Sequence, residues 1–233
     1  MHKGNYRIFV LFCQERDGDV GEEMFIAMAG RSNSLDFLIQ KSYTIHWLRE
    51  PIMNTFISLL RGINVSGQNR IRMPDLRGLY NSLSLVNVET YVQSGNVVFD
   101  CGEKEATQLA KIIEVEIARS LGLSVKVILR NKDMFKQIID RNPFINKRNE
   151  DPEKLHVTFL SEIPSELAMS KLPAPASTTD EFRISGLEIY LFCPDGYGKT
   201  KLSNSHFERK LNVSATTRNW KTVRALHEMA NQR

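Results

Sequence analysis

Long apolar runs are missing from this sequence: none exceeds six residues, the length reached from Ile8 to Cys13. A transmembrane helix needs roughly 20 such residues, and a signal-peptide core usually has about seven or more. The reading is a cytoplasmic chain with no membrane partner. Cysteine is scarce as well. Cys13, Cys101 and Cys193 are three in number and far apart, which argues against both a disulfide framework and a clustered zinc site. Free thiols are expected. His156, His206 and His227 stand at no metal-ligand spacing, and neither a Gly-x-Ser-x-Gly elbow nor a recognisable acid pair occurs. No metal and no cofactor are therefore expected, and no catalytic residue is identified. Ser94 could act as a nucleophile, but a serine in a hairpin turn usually serves the turn.

What the chain does contain is ordinary for a globular protein: 233 residues, 42% hydrophobic and 25% charged, enough for one sizeable core or two small ones. The net charge of +4 is unevenly spread. From Lys199 to Arg233 there are eight bases against two acids, a local +6 that leaves about −2 for the remainder. Such a segment attracts phosphate-bearing partners over long range, although a solvated helical face gives the same count.

Residues 1–52 differ from the rest. Gln14 to Arg31 is acidic and glycine-containing without sustained period, and Ser32 to Arg49 offers at best one irregular amphipathic stretch. The expectation is a loosely ordered upstream extension of the reading frame, with Met53 as the biological start. A packed N-terminal arm is the alternative, because Phe25 to Met28 and Phe37 to Ile39 are apolar. Clean patterning begins at Asn54 to Arg61, a buried strand, followed by a polar loop from Gly62 to Arg72. A helix follows with Pro74 in its first turn and Leu76, Leu79, Tyr80 and Leu83 on one face. Asn87 to Gln93 and Asn96 to Asp100 read as hairpin strands about Ser94-Gly95. Glu105 to Leu121 reads as a helix closed by Gly122, Ser124 to Leu129 as a strand, and Lys132 to Asp140 as an appended helix.

That order is βαββαβ, the ferredoxin-like unit, over residues 53–145. Asn142-Pro143 and the charged run Lys147 to Lys154 read as a linker into a second lobe, residues 146–233. There, Leu155 to Leu160 is a strand, Pro164 to Lys171 a short helix, and Leu172 to Thr179 a loop. Glu181 to Ile184 and Leu187 to Cys193 flank a second hairpin signal, Ser185-Gly186. Helices are expected near Ser205 to Leu211 and Thr217 to Ala230. The fold class is α+β: two ferredoxin-like lobes with mainly antiparallel sheets and a C-terminal helix pair. The repeat is architectural, since residue-level self-similarity between the halves is weak.

Leu59 to Val65, Asn69 to Met73, Thr90 to Phe99, Gly198 to Asn204 and Ala215 to Trp220 resemble, in that order, signature stretches of the domain of unknown function 1697 family. The resemblance spans about residues 54–230. It implies two ferredoxin-like lobes and no established activity. Ser66 departs from it, standing where the family pattern typically has glycine.

Three segments are candidates for binding. Arg61, Asn64, Asn69 and Arg70 crowd polar groups into the loop leaving the opening strand, where a guanidinium and backbone amides could clamp an anion. The alternative is that the asparagines merely build the loop and Arg61 satisfies buried carbonyls. The second segment, Cys193 to Thr200, ends in Gly-Lys-Thr but lacks the first glycine and the parallel crossover of a nucleotide phosphate loop. It could still offer an anion site, with Gly198 allowing close approach, Lys199 and Lys201 supplying charge, and Asn204 beside them. Third, Leu211 to Ser214 resembles the turn of a helix-turn-helix. Arg218 and Lys221 would then face phosphate, Asn219 would be available to bases, and Trp220 would belong to the core stripe. A structural helix pair is the blander account. The leading expectation is a binder of a phosphate-bearing small molecule between the lobes. Nucleic-acid binding through the C-terminal helices, or a phosphoryl- or nucleotide-processing enzyme, are the alternatives.

Overall fold

The protein is described here from a computed structural model, which covers residues 7–11, 25–29 and 53–233 apart from 66, 68, 103, 171 and 173–178. The chain divides into two compact units, residues 1–51 and 52–233. In the first, β1 (Arg7–Leu11) pairs antiparallel with β2 (Phe25–Ala29). The expectations placed on Ser66 and on the rest of residues 1–52 lie outside the described residues.

The second unit opens with β3 (Asn54–Leu60), in which Phe56, Ser58 and Leu60 face one way and Ile57 and Leu59 the other, as the two-residue period of a strand requires. Then come α1 (Met73–Ser82), β4 (Val86–Tyr91), β5 (Asn96–Cys101), α2 (Ala106–Leu121) and β6 (Val127–Asn131). The strands form one antiparallel sheet in the order β4-β5-β3-β6. Gly122 closes α2 in the left-handed conformation, φ 66°. Next, α3 (Lys132–Asp140) and a single turn, α4 (Pro143–Asn146), lead to β7 (Leu155–Leu160). The second lobe continues with α5 (Glu166–Ser170), β8 (Glu181–Ser185), β9 (Glu188–Phe192), α6 (Asn204–Leu211), β10 (Ala215–Asn219) and α7 (Trp220–Asn231). Its sheet runs β10-β7-β9-β8.

Two expectations are corrected. The helix expected from Thr217 begins at Trp220, because Ala215–Asn219 is the fourth strand of the second sheet, paired with β7. The C-terminal helices are therefore separated by a strand, and no helix-turn-helix exists at Leu211 to Ser214. Asn212 does take the left-handed conformation, φ 57°, but it ends α6 and sends the chain into β10. The strand expected from Ser124 starts three residues later, at Val127.

With β10 in place, both lobes are βαββαβ followed by one more helix, and their registers coincide. Leu60 pairs with Val127 as Leu160 pairs with Ala215, and Leu59 pairs with Asn96 as Phe159 pairs with Glu188. Glu114 of α2 accepts the Val127 N–H, and Glu208 of α6 accepts the Ala215 N–H. Asn131 caps α3 and Asn219 caps α7, each side chain accepting an N–H three residues on, at 2.8 Å.

Three apolar clusters hold the unit together. Phe56, Leu60, Tyr80, Phe99 and Ile113 lie under α1 and α2. Leu160, Leu191, Phe207 and Leu211 form the corresponding cluster of the second lobe. Between the lobes, Ile57, Val98, Phe135, Phe159, Trp220 and Leu226 make a shared core.

Candidate functional site

The first loop is built from its own polar groups. Asn64, at φ 54°, donates from Nδ2 to the carbonyls of Ile71 (2.9 Å) and Gln93 (2.8 Å) and accepts the Ile71 N–H on Oδ1. Asn69, at φ 46°, donates to the Gly62 carbonyl at 3.1 Å. Both asparagines thus serve the loop, and Asn64 ties it to the β4–β5 turn. In that turn Val92 sits at φ 47°, a strained conformation for a β-branched residue. Arg70 is exposed beside Gly67.

Arg61 is not free to clamp an anion. Its Nε and Nη2 meet the two carboxylate oxygens of Glu208 at 2.5 and 2.6 Å, a bidentate pair that crosses from the first lobe to α6 of the second. The hydrogen bond to Glu208 raises the Arg61 pKa further.

Arg218 is buried in β10. Its Nε donates to Asn96 Oδ1, Nη1 to Thr216 Oγ1 and the Thr217 carbonyl, and Nη2 to the carbonyls of Leu60 (2.8 Å) and Ser94 (2.9 Å). Burial pushes its pKa down to about 10, still cationic at neutral pH. Arg130, at the equivalent position of β6, reaches the other way. It donates to Glu188 Oε1 (2.8 Å) and to the carbonyls of Leu160 and Leu187. Each lobe therefore sends the arginine of its fourth strand into the junction of strands one and three of the other, the self-complementary pattern of a twofold interface. Burial lowers the pKa of Arg130 and raises that of Glu188, each offset in part by the partner's charge.

Arg61, Asn96, Arg218 and Glu208 thus meet along one seam, with Asn204 close by, accepting from Thr217 at 2.6 Å. Tyr197 stacks on His156, with ring centroids 4.7 Å apart, and burial keeps His156 below its usual pKa. Gly198, Lys199 and Lys201 lie exposed at the rim. Thr200 is committed to structure, donating to Asp180 (2.6 Å) and accepting the Leu202 N–H. Cys193 beneath it is buried, its thiol pushed up to about 11 by burial and by Asp180. Asn219 caps α7 and Trp220 is core.

The open space lies elsewhere. A cavity of about 410 Å³ sits between the α3–α4 segment and the β8–β9 hairpin. Four cations line it: Arg141, Lys147, Arg148 and Arg183. Arg148 bonds Glu150 (2.5 Å) and Glu181 (2.8 Å), and its guanidinium lies 5.6 and 5.5 Å from the ring centres of Phe144 and Phe192. Arg183 shares Glu181 at 3.5 Å. Arg141 and Lys147 form no ion pair among the described residues. The sequence does not single these residues out: Lys147 and Arg148 fall in the stretch that reads as a linker, Arg141 stands just before it, and Arg183 lies in the expected strand Glu181 to Ile184. Among the described residues no group of three His, Cys, Asp or Glu side chains is placed to hold a metal. No helix among them is long and apolar enough to cross a membrane.

Two ferredoxin-like lobes, each extended by a helix and locked by reciprocal arginines, define a tandem α+β protein with a basic cleft at the lobe boundary. The chain belongs to the family described as Protein of unknown function (DUF1697), whose pattern it matches over residues 53–190. It is similar to the solved structure of a conserved bacterial protein from Streptococcus pneumoniae, at 25% identity and a TM-score of 0.59, over 76% of this chain and 99% of that one. No curated protein matches the chain.

Proposed function

We propose that the chain binds a phosphate-bearing small molecule in the basic cleft between the lobes, at Arg141, Lys147, Arg148 and Arg183. The observation that carries this reading is the imbalance of charge around open space: four cations converge on the cavity, and two carboxylates, Glu150 and Glu181, are their ion-pair partners. Planar guanidinium groups offer the paired donors that phosphate oxygens accept, and a lysine adds a point charge. Arg148 is held in place by Glu150, Glu181, Phe144 and Phe192 and adds charge to the wall, while Arg141 and Lys147, which form no ion pair among the described residues, supply the donors. The seam at Arg61 and Arg218 is a weaker choice, because those guanidinium groups already have partners and releasing them would leave Glu208 and buried carbonyls unpaired.

Isothermal titration of the full chain with inorganic phosphate and a sugar phosphate tests the proposal. Arg141→Ala with Lys147→Ala is expected to weaken binding about tenfold or more, since a charged hydrogen bond contributes roughly 1.5–3 kcal/mol. Lys199→Ala with Lys201→Ala is expected to leave it within about twofold. The reverse pattern would move the site to the C-terminal segment, and no detectable binding by either anion would end the reading.

A further inference from the structure

Tyr190 is a wall of more than the basic cavity. A second cavity, of about 230 Å³, adjoins it and shares Arg141, Ser185 and Tyr190 as walls. Its remaining lining adds no further cation: Met134, Ile138, Ile163 and Leu187 supply apolar surface, beside Gln137, Gly186 and Glu188. Glu188 adds no uncompensated charge, because its carboxylate is held by Arg130 Nε at 2.8 Å. Ile163 is 66% exposed, which leaves a large apolar side chain in water at the edge of this second space. One exposed isoleucine is commonplace, but here it continues an apolar wall that starts at buried Ile138. The two cavities together fall within the size range of small-molecule sites, roughly 300–1,000 Å³.

We infer that this groove takes a phosphomonoester bearing an apolar tail, with the head among Arg141, Lys147, Arg148 and Arg183 and the tail along Met134, Ile138, Ile163 and Leu187. The inference rests on the anion reading above and adds two things to it. Four cations against two carboxylates leave an excess that suits a dianion, and a phosphomonoester carries about −1.5 to −2 at pH 7 whereas a carboxylate carries one charge. The fall from four lining cations in the first space to the shared Arg141 alone in the second suits a ligand that is charged at one end only.

The test is a titration of the full chain with inorganic phosphate and with methyl, ethyl, propyl and butyl phosphate, repeated on Met134→Ser with Ile163→Ser and on Arg141→Ala with Lys147→Ala. Affinity is expected to tighten by up to about fourfold per added methylene that is buried. The serine variants should flatten that series without changing the affinity for inorganic phosphate, and the alanine variants should weaken every member equally. A flat series in the parent chain, with phosphate still bound and still sensitive to Arg141→Ala with Lys147→Ala, overturns the tail and leaves the anion site standing. A rising series that the serine variants do not flatten also overturns it. No binding by any member overturns both readings.

Discussion

At the scale of single residues, two glycines separate backbone conformation from close approach. Gly95 and Gly186 occupy the hairpins of the two lobes with φ of 72° and 61°, so an alanine at either is strained. Only Gly95 is also crowded. A Cβ there would stand 2.6 Å from Ile63 Cδ1 and 2.7 Å from Leu60 Cβ, whereas at Gly186 it would meet nothing within 4 Å. Leu60 Cβ is fixed to a central strand and cannot swing aside. Gly186→Ala is therefore expected to cost about 1 kcal/mol, the left-handed penalty alone, and Gly95→Ala at least about 2 kcal/mol more through overpacking. Urea titrations of both variants give the difference, and equal losses would mean that the β4–β5 turn shifts at little cost.

Among the elements, the two helices capped by asparagine test whether the lobes are equivalent in energy as well as in register. Asn131→Ala and Asn219→Ala each remove one acceptor from a part-buried N–H at the start of an appended helix, at an expected cost of about 1 kcal/mol each in thermal or urea unfolding. A much larger loss at Asn219 would show that it holds β10 as well as α7.

The cap at Asn219 also explains where the sequence was opaque. Ala215-Thr216-Thr217-Arg218-Asn219 has one apolar residue, so a strand buried by hydrogen bonds shows no period of two in hydrophobicity. Ser214 looks like a cap, and the stripe through Trp220, Val223 and Leu226 invites the helix to start early. Most of the first lobe was legible because β3 and β5 bury runs of apolar side chains, and α3 matches its expected span of Lys132 to Asp140, while β6 starts three residues later than expected. Of the candidate site, the meeting of the Arg61 loop with the C-terminal segment was legible. The pairing of Arg61 with Glu208 was not, because partners 147 residues apart leave no local pattern. The cavity cations were hidden for a similar reason: α4 is one turn, buried through Phe144 and capped by Asn142, and one turn carries no periodicity.

For the molecule as a whole, the reciprocal arginines and the shared core imply that the two lobes fold as one. The substitutions at the two arginines should nevertheless differ in kind. Arg218→Ala leaves carbonyls and an amide oxygen without donors, at an expected cost of about 3 kcal/mol. Arg130→Ala leaves the largely buried Glu188 carboxylate without its hydrogen-bonded cation, and removing one member of such a pair costs up to about 3–5 kcal/mol. That second loss depends on pH. Burial already raises the Glu188 pKa, and without Arg130 it rises further. A carboxyl whose folded pKa lies above its unfolded value is least harmful below the unfolded pKa and loses stability as pH rises through the folded one. The deficit of Arg130→Ala should therefore shrink toward acid pH, while that of Arg218→Ala should not follow the same course. Each variant should still melt in one transition that secondary-structure and near-ultraviolet signals report together. Fragments 53–146 and 147–233 should each fail to melt cooperatively, because separating them exposes Ile57, Val98 and Phe135 on one side and Phe159, Trp220 and Leu226 on the other. A fragment that melts cooperatively by itself would make the lobes independent domains and the arginine pair a docking contact between them.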